Sequence, residues 1–211
     1  MKCENQYEKA WWKNGYQGIV GLDEAGRGPM AGPLVVAAVA FPKDYHHDEI
    51  YDSKKVSEKN RNRLFKEIIQ EANEYYIEIV SPSIIDKENI YRATQHAMER
   101  LVKRFKRCDG VLSDAMPLPD CEHEVISLIK GDQKSVSIAA ASILAKVVRD
   151  HIMCGYDVLY PAYGFAKHKG YPTKQHKEAL KNYGVLSIHR KTYAPVAQQL
   201  QIQFDLSENS I

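Results

Sequence analysis

Asp23 and Glu24 stand side by side at the end of a short apolar run that begins at Ile19, and the chain then enters Gly26-Arg27-Gly28-Pro29. Two further acids follow short runs of their own, Asp114 after Val111-Leu112-Ser113 and Asp132 after Ile129-Lys130-Gly131. Strands that lie side by side bring their ends together, so the pattern predicts four carboxylates in one cleft. Such a group cannot stay ionised without cations between its members. Carboxylate oxygens are hard ligands that suit magnesium or manganese, and the eight histidines show no metal spacing such as His-Glu-x-x-His. Two divalent ions are the usual solution when the reaction is phosphodiester displacement. Taken singly, Asp114 or Asp132 reads equally well as a turn aspartate that caps a helix, and Asp150, beside Arg149, is the rival for the fourth place. Adjacent strand side chains point to opposite faces, so for Asp23 and Glu24 to serve one site the backbone must bend, and Ala25-Gly26 is where it can.

A second stretch points to an anionic partner. Residues 164–193 carry seven lysines and arginines against the single acid Glu178, a local charge of +6. Tyr163, Phe165, Tyr171, Tyr183 and Tyr193 are interleaved with them. Charge attracts a polyanion, and rings give sugars or bases a flat surface. A solvated basic face is the plain alternative, but Gly170-Tyr171-Pro172 fixes one tyrosine in a turn between two basic clusters. The Gly26-x-Gly28 turn is not a dinucleotide cradle, because Pro29, Pro33 and a β-branched run follow where a helix would have to start. Its bare backbone can instead approach a minor groove and offer amides to a sugar hydroxyl, with Arg27 close to the phosphates.

The elements that must position these residues form one large domain of 211 residues, long enough for a full core. With 29 basic and 27 acidic residues, net charge is only +2, so it is the distribution of charge that matters. Cys3, Cys108, Cys121 and Cys154 lack zinc or disulfide spacing, which predicts reduced thiols in a cytosolic protein. Met1 to Lys13 is polar apart from Trp11 and Trp12, unlike a signal peptide, and the longest apolar run, Leu34 to Phe41, is too short to span a bilayer. Residues 1–17 are expected to form an arm or short helix that packs its tryptophans on the domain, with base stacking as the alternative. Ile19 to Asp23 and Leu34 to Phe41 read as a hairpin, and Tyr75 to Val80 as a third, antiparallel strand. A helix opening at Ser57 carries Leu64, Phe65, Ile68, Ile69 and Ala72 on one face. One long helix is expected over about Ser83 to Phe105, ending in a solvated basic cap. Gly110 to Asp114 and Val125 to Ile129 read as buried, parallel strands. Val136 to about Met153 is an apolar helix deep against the sheet, whose exceptions Ser142, Lys146, Arg149 and Asp150 need partners or an open site. Residues 202–211 are expected to be a flexible tail.

Several blocks together closely resemble the signature of ribonuclease HII: Asp23-Glu24-Ala25-Gly26-Arg27-Gly28-Pro29, Asp52-Ser53-Lys54-Lys55, Lys130-Gly131-Asp132, Ala140 to Asp150, and Tyr163 to Thr173. The resemblance covers roughly residues 18–197. It implies an α/β, ribonuclease H-like fold with a mixed β-sheet flanked by helices, a catalytic domain over 18–163 and a basic, helical substrate-binding segment over 164–201. By resemblance, Asp23, Glu24, Asp114 and Asp132 are the catalytic, metal-binding acids for two Mn²⁺ or Mg²⁺ ions, which places Asp132 ahead of Asp150. Gly26, Arg27 and Gly28 then read the ribonucleotide's 2′-hydroxyl at an RNA-to-DNA junction, and Tyr171 packs on the adjacent deoxyribose. Lys54, Ser142 and Lys146 are phosphate contacts or supports.

The expected activity is endonucleolytic hydrolysis of the RNA strand of RNA·DNA hybrids, with cutting 5′ of single ribonucleotides in duplex DNA to leave 3′-hydroxyl and 5′-phosphate ends. This serves ribonucleotide removal and RNA primer removal by a cytoplasmic monomer. The alternatives are broad hybrid cleavage of the ribonuclease HIII kind, whose members usually differ where Arg27 stands and carry an added N-terminal domain, and a hybrid-binding module that does not cut. Ala115 and Ala139 depart from the family pattern, which more often has glycine and serine there.

Overall fold

The computed structural model describes residues 5–208. Its centre is a five-stranded sheet made of β1 (Ile19–Ala25), β2 (Leu34–Ala40), β3 (Glu74–Val80), β4 (Gly110–Asp114) and β5 (Glu124–Leu128), in the order β3-β2-β1-β4-β5. β2 pairs antiparallel with β1 and β3, while β4 runs parallel to β1 and β5. The mixed sheet and the direction of each strand are those expected from the apolar runs. Every residue of β2 is buried because helices cover both faces. Val35, Ala37 and Val39 pack with α2 (Glu58–Glu71) and α5 (Val136–Leu159), and Val36, Ala38 and Ala40 with α4 (Ile90–Val102). Alternation along a strand thus divides its apolar side chains between two cores.

Two features of this packing bear on the acids. Leu22 of β1 is opposite Ser113 of β4 in the parallel pair, so one step further along each strand brings Asp23 beside Asp114. α5 presses closely on β1: a Cβ at Gly21 would stand 2.2 Å from the Ser137 carbonyl carbon, so only glycine fits there. The start of α5 is held by the N-terminal arm. From just before α1 (Gln6–Lys13), Asn5 Oδ1 accepts from the Val136 N–H at 3.2 Å, and within α1 Glu8 Oε1 accepts from Ser135 Oγ at 2.5 Å and from the Ser137 N–H at 3.2 Å. Acceptors at a helix N-terminus satisfy donors that have no partner inside the helix. Trp11 and Trp12 are buried, Trp11 stacking on Tyr16 with ring centroids 5.2 Å apart, so the tryptophans pack on the domain.

The structure departs from the sequence expectations in several places, the first being that β5, expected to be buried, lies at the edge of the sheet where only Leu128 is buried. The single helix expected over Ser83 to Phe105 is two, α3 (Pro82–Glu88) and α4, separated by Asn89 at φ 65°. Asparagine tolerates the left-handed region, and its side chain accepts from the Arg92 N–H at 3.0 Å to cap the second helix. Asp132 is not on a strand end, because β5 stops at Leu128 and Asp132 sits in a 3₁₀ turn, Gly131–Gln133. α5 continues to Leu159, beyond Met153.

Beyond α5 come α6 (Phe165–His168), α7 (Lys174–Tyr183) and α8 (Ala194–Glu208), the last running past residue 202, while residues 209–211 lie outside the described part. Tyr163, Phe165, Ala179 and Ile188 pack there on Ala31 and Met153. Three buried histidines lie among them. His189 Nδ1 accepts from the Leu186 N–H at 2.9 Å, which leaves its Nε2–H to donate to His176 Nε2 at 3.1 Å. His176 Nδ1–H in turn donates to Tyr171 O at 2.9 Å. Each ring is neutral in this chain, since a proton on His176 Nε2 would face another donor. Burial accordingly pushes both His176 and His189 down to about 4 from the usual 6.5.

A folded pKa below the unfolded one means that this contribution to stability is complete above 6.5 and is lost as pH falls through that value toward 4. His176→Gln is therefore expected to melt below the wild type at about pH 7, with a gap that narrows by about pH 5. Thermal melts of both proteins across that range check this, and a gap that stays constant or widens would contradict it.

Candidate active site

Asp23 and Glu24 from β1 and Asp114 from β4 line one cavity of about 320 Å³. Gly26, Arg27 and Gly28 form one wall. Lys54 enters from the loop between β2 and α2, Ser142 and Lys146 from α5, and Tyr171 from the turn between α6 and α7. Ten residues singled out by sequence thus meet around one space. Asp132 does not line it. The 3₁₀ turn places Asp132 beside Asp114, whose Oδ1 accepts from the Gly131 N–H at 2.7 Å, and its carboxyl hydrogen-bonds to Asp52. Burial, then the charges of Asp52 and Asp114, push Asp132 up to about 6.

Asp23 is only 5% exposed. Its Oδ1 accepts from the Glu24 N–H at 2.7 Å, and it also accepts from the Ser142 hydroxyl, which lies 2.9 Å from Ser53 Oγ. Those bonds do not offset burial and the repulsion of Glu24 and Asp114, which hold Asp23 well above the usual carboxylate range. Glu24 is pushed up to about 7, chiefly by burial and opposed by Arg27, whose Nη1 is 3.4 Å from Oε1. Glu24 Oε2 is buried with no hydrogen-bond partner among the described residues. Among those residues no three histidines, cysteines or acids stand together in an arrangement ready to enclose an ion. The donor set nonetheless fits a hard divalent cation: buried oxygens, one unpartnered, on carboxyls that repel one another.

The chain bends just after β1, at Gly26 with φ 106°. A Cβ there would stand 2.2 Å from Arg149 Nε, so both backbone and space require glycine. The Tyr171 ring approaches Gly28, 3.3 Å from where a Cβ would be, and is 47% exposed.

Arg149 lines the cavity but does not pair with Asp150. Its Nε donates to Pro33 O at 2.9 Å, Nη1 to Lys169 O at 2.9 Å and Nη2 to Ala31 O at 3.1 Å. Asp150 instead takes Lys146 Nζ at 2.7 Å and Arg61 Nη2 at 3.9 Å. Arg61 also donates to Ser53 O at 3.0 Å and to Val56 O, which fastens the loop that carries Lys54. Ser53, Arg61, Arg149 and Arg190 were not singled out by sequence as site residues. Arg149 offered a signal, as a cation on an apolar helix, but its carbonyl partners are remote in the chain. Arg190 counted toward the basic stretch, yet it is fully buried and so adds nothing to a surface patch.

The family model for ribonuclease HII matches residues 20–196. A ribonuclease HII of Acholeplasma laidlawii is 50% identical over 92% of this chain and 96% of its own length. One from Francisella tularensis subsp. tularensis is 51% identical over 84% of this chain and 96% of its own. The crystal structure of ribonuclease H2 from Pyrococcus horikoshii OT3 superposes with a TM-score of 0.76 at 25% identity, covering 87% of this chain and 97% of that one.

A ligand that binds only the folded state raises its melting temperature. Manganese is expected to raise that of the wild type by several degrees. Asp23→Asn, which keeps an acceptor for the Glu24 N–H and removes a repelled carboxylate, should melt no lower than wild type without metal and gain less from it. An equal gain in both proteins would contradict the cation reading.

Proposed function

The chain belongs to the ribonuclease HII family and is an endoribonuclease, and we propose that it hydrolyses the RNA strand of RNA·DNA hybrids and cuts 5′ of single ribonucleotides in duplex DNA. The products in this reading carry 3′-hydroxyl and 5′-phosphate ends. One observation carries it: the buried carboxylates and the glycine turn, consecutive in the chain, open into the same cavity. A group that reads a sugar and a group that cleaves a phosphate are thereby held at a fixed separation.

Asp23, Glu24, Asp114 and Asp132 are the residues that would hold two divalent ions, magnesium or manganese. Such ions supply charge neutralisation and Lewis-acid activation for phosphodiester hydrolysis. The other residues bind and orient. The backbone of Gly26, Arg27 and Gly28 meets the 2′-hydroxyl, and the exposed Tyr171 ring packs on the neighbouring deoxyribose. Lys54 would meet a phosphate, while Ser142 orients Asp23 and Lys146, paired with Asp150, supports the same wall. Residues 18–163 then act as the catalytic part and 164–201 as the substrate-binding segment. Ribonucleotide and RNA primer removal by a cytoplasmic monomer is the accompanying proposal. Among the described residues no helix is long and apolar enough to cross a membrane.

Turnover on a duplex with one ribonucleotide tests this. With manganese or magnesium the wild type should cut it, and Asp114→Asn should cut at least about a hundredfold more slowly while keeping its fold by circular dichroism. A variant that cuts at the wild-type rate would falsify the assignment of the acids.

A further inference from the structure

Arg190 is fully buried, on the stretch that leads into α8, and its guanidinium goes to backbone oxygens of a single bend. Nη2 donates to Gly26 O at 2.6 Å and to Gly32 O at 3.0 Å, Nε to Gly32 O at 3.1 Å, and Nη1 to Arg27 O at 3.1 Å. Tyr193 completes the set. Its hydroxyl donates to Arg27 O at 2.7 Å and accepts from Arg190 Nη1 at 2.9 Å. A planar fork of five donors can hold three carbonyls at once in a way that a lysine cannot.

Peptide units are planar, and none among the described residues is cis. A captured carbonyl therefore sends the N–H of its own unit the opposite way. With Gly26 O and Arg27 O drawn toward Arg190, the N–H groups of Arg27 and Gly28 are turned away from it, and both residues line the cavity. We infer that Arg190, with Tyr193, is a positioning residue that sets the direction of the turn's amides and so the register in which a 2′-hydroxyl is read. This rests on the proposed function, since it assigns a device to that same turn. Nothing in the chemistry at the carboxylates requires it.

The backbone around Arg190 is anchored independently of its side chain, by Arg190 N–H to Met30 O at 2.9 Å and Gly32 N–H to Ile188 O at 2.8 Å. Arg190→Lys keeps the charge and loses the fork, and Tyr193→Phe removes a single hydroxyl in case the lysine variant does not fold. Both are compared with wild type on two manganese-dependent substrates: a DNA duplex with one ribonucleotide, and a hybrid with a long RNA tract. A tract offers a 2′-hydroxyl at every position and tolerates a shifted register, whereas a lone ribonucleotide does not.

Arg190→Lys is expected to lower kcat/KM on the lone ribonucleotide by roughly tenfold more than on the tract, the effect of one misdirected hydrogen bond of about 1.4 kcal/mol, and to spread the cut over neighbouring phosphates. Tyr193→Phe should act in the same direction and less. If both variants lose activity equally on the two substrates and still cut at one phosphate, Arg190 merely holds the fold and the inference fails. A wild type that cuts the tract but not the lone ribonucleotide overturns the functional reading, and this inference with it.

Discussion

Like charges meet where β1 and β4 leave the sheet. Asp23 is buried, Glu24 follows it, and Asp114 arrives from the neighbouring parallel strand one step beyond Leu22 and Ser113. Burial and mutual repulsion both oppose the ionisation of Asp23 and Glu24, and the protein groups that favour it are few: Ser142 and a backbone amide on Asp23, Arg27 and Lys54 on Glu24. The rest of the structure serves to hold this unfavourable arrangement. β2, buried along its whole length, and the α5 helix pressed on Gly21 leave β1 no freedom to relax. The N-terminal arm secures α5 in turn through Asn5 and Glu8. A cavity lined by such carboxyls is preorganised for cations, because the strain is carried by the core before any ligand enters.

The turn proposed for recognition leaves the same strand end but is stabilised from the opposite side. The turn after β1 has its carbonyls taken by Arg190, and the bend beside it has Ala31 O and Pro33 O taken by Arg149. Tyr171 is held through its own carbonyl by the neutral chain from His189 to His176. In each case a buried cation or imidazole fixes backbone direction, while the exposed atoms stay available. The C-terminal segment therefore has an inner role beside its basic surface, and the sequence count of +6 overstates that surface by including Arg190.

Much of this was legible in the chain because its signals are local. The hairpin, the parallel strands and the deep helix follow from short apolar runs, and the acids at or near strand ends follow from those. Ser57 caps α2 at the position where the sequence opens that helix. What escaped was set by distant partners. Arg149 sits beside Asp150 in sequence, but α5 turns Asp150 toward Lys146 and Arg61 and sends Arg149 to carbonyls more than a hundred residues away. The break at Asn89 was hidden because the apolar stripe that marks the helix begins only at Ile90, on the far side of it. Asp132 looked like a strand end because Ile129 extends the apolar run by one residue past β5. Within the acid set, the cavity gathers Asp23, Glu24 and Asp114, and reaches Asp132 only through its neighbour.

If adjacency along β1 couples the reading of a sugar to the choice of phosphate, the cut must follow the sugar. The most direct measurement places one ribonucleotide at successive positions in an otherwise identical DNA duplex and maps each product to single-nucleotide resolution with manganese present. One cut per duplex is expected, always at the phosphate on the 5′ side of the ribonucleotide, moving in step with it. Cuts that stay at fixed positions while the ribonucleotide moves, or that fall equally on all-DNA duplex, would contradict that coupling.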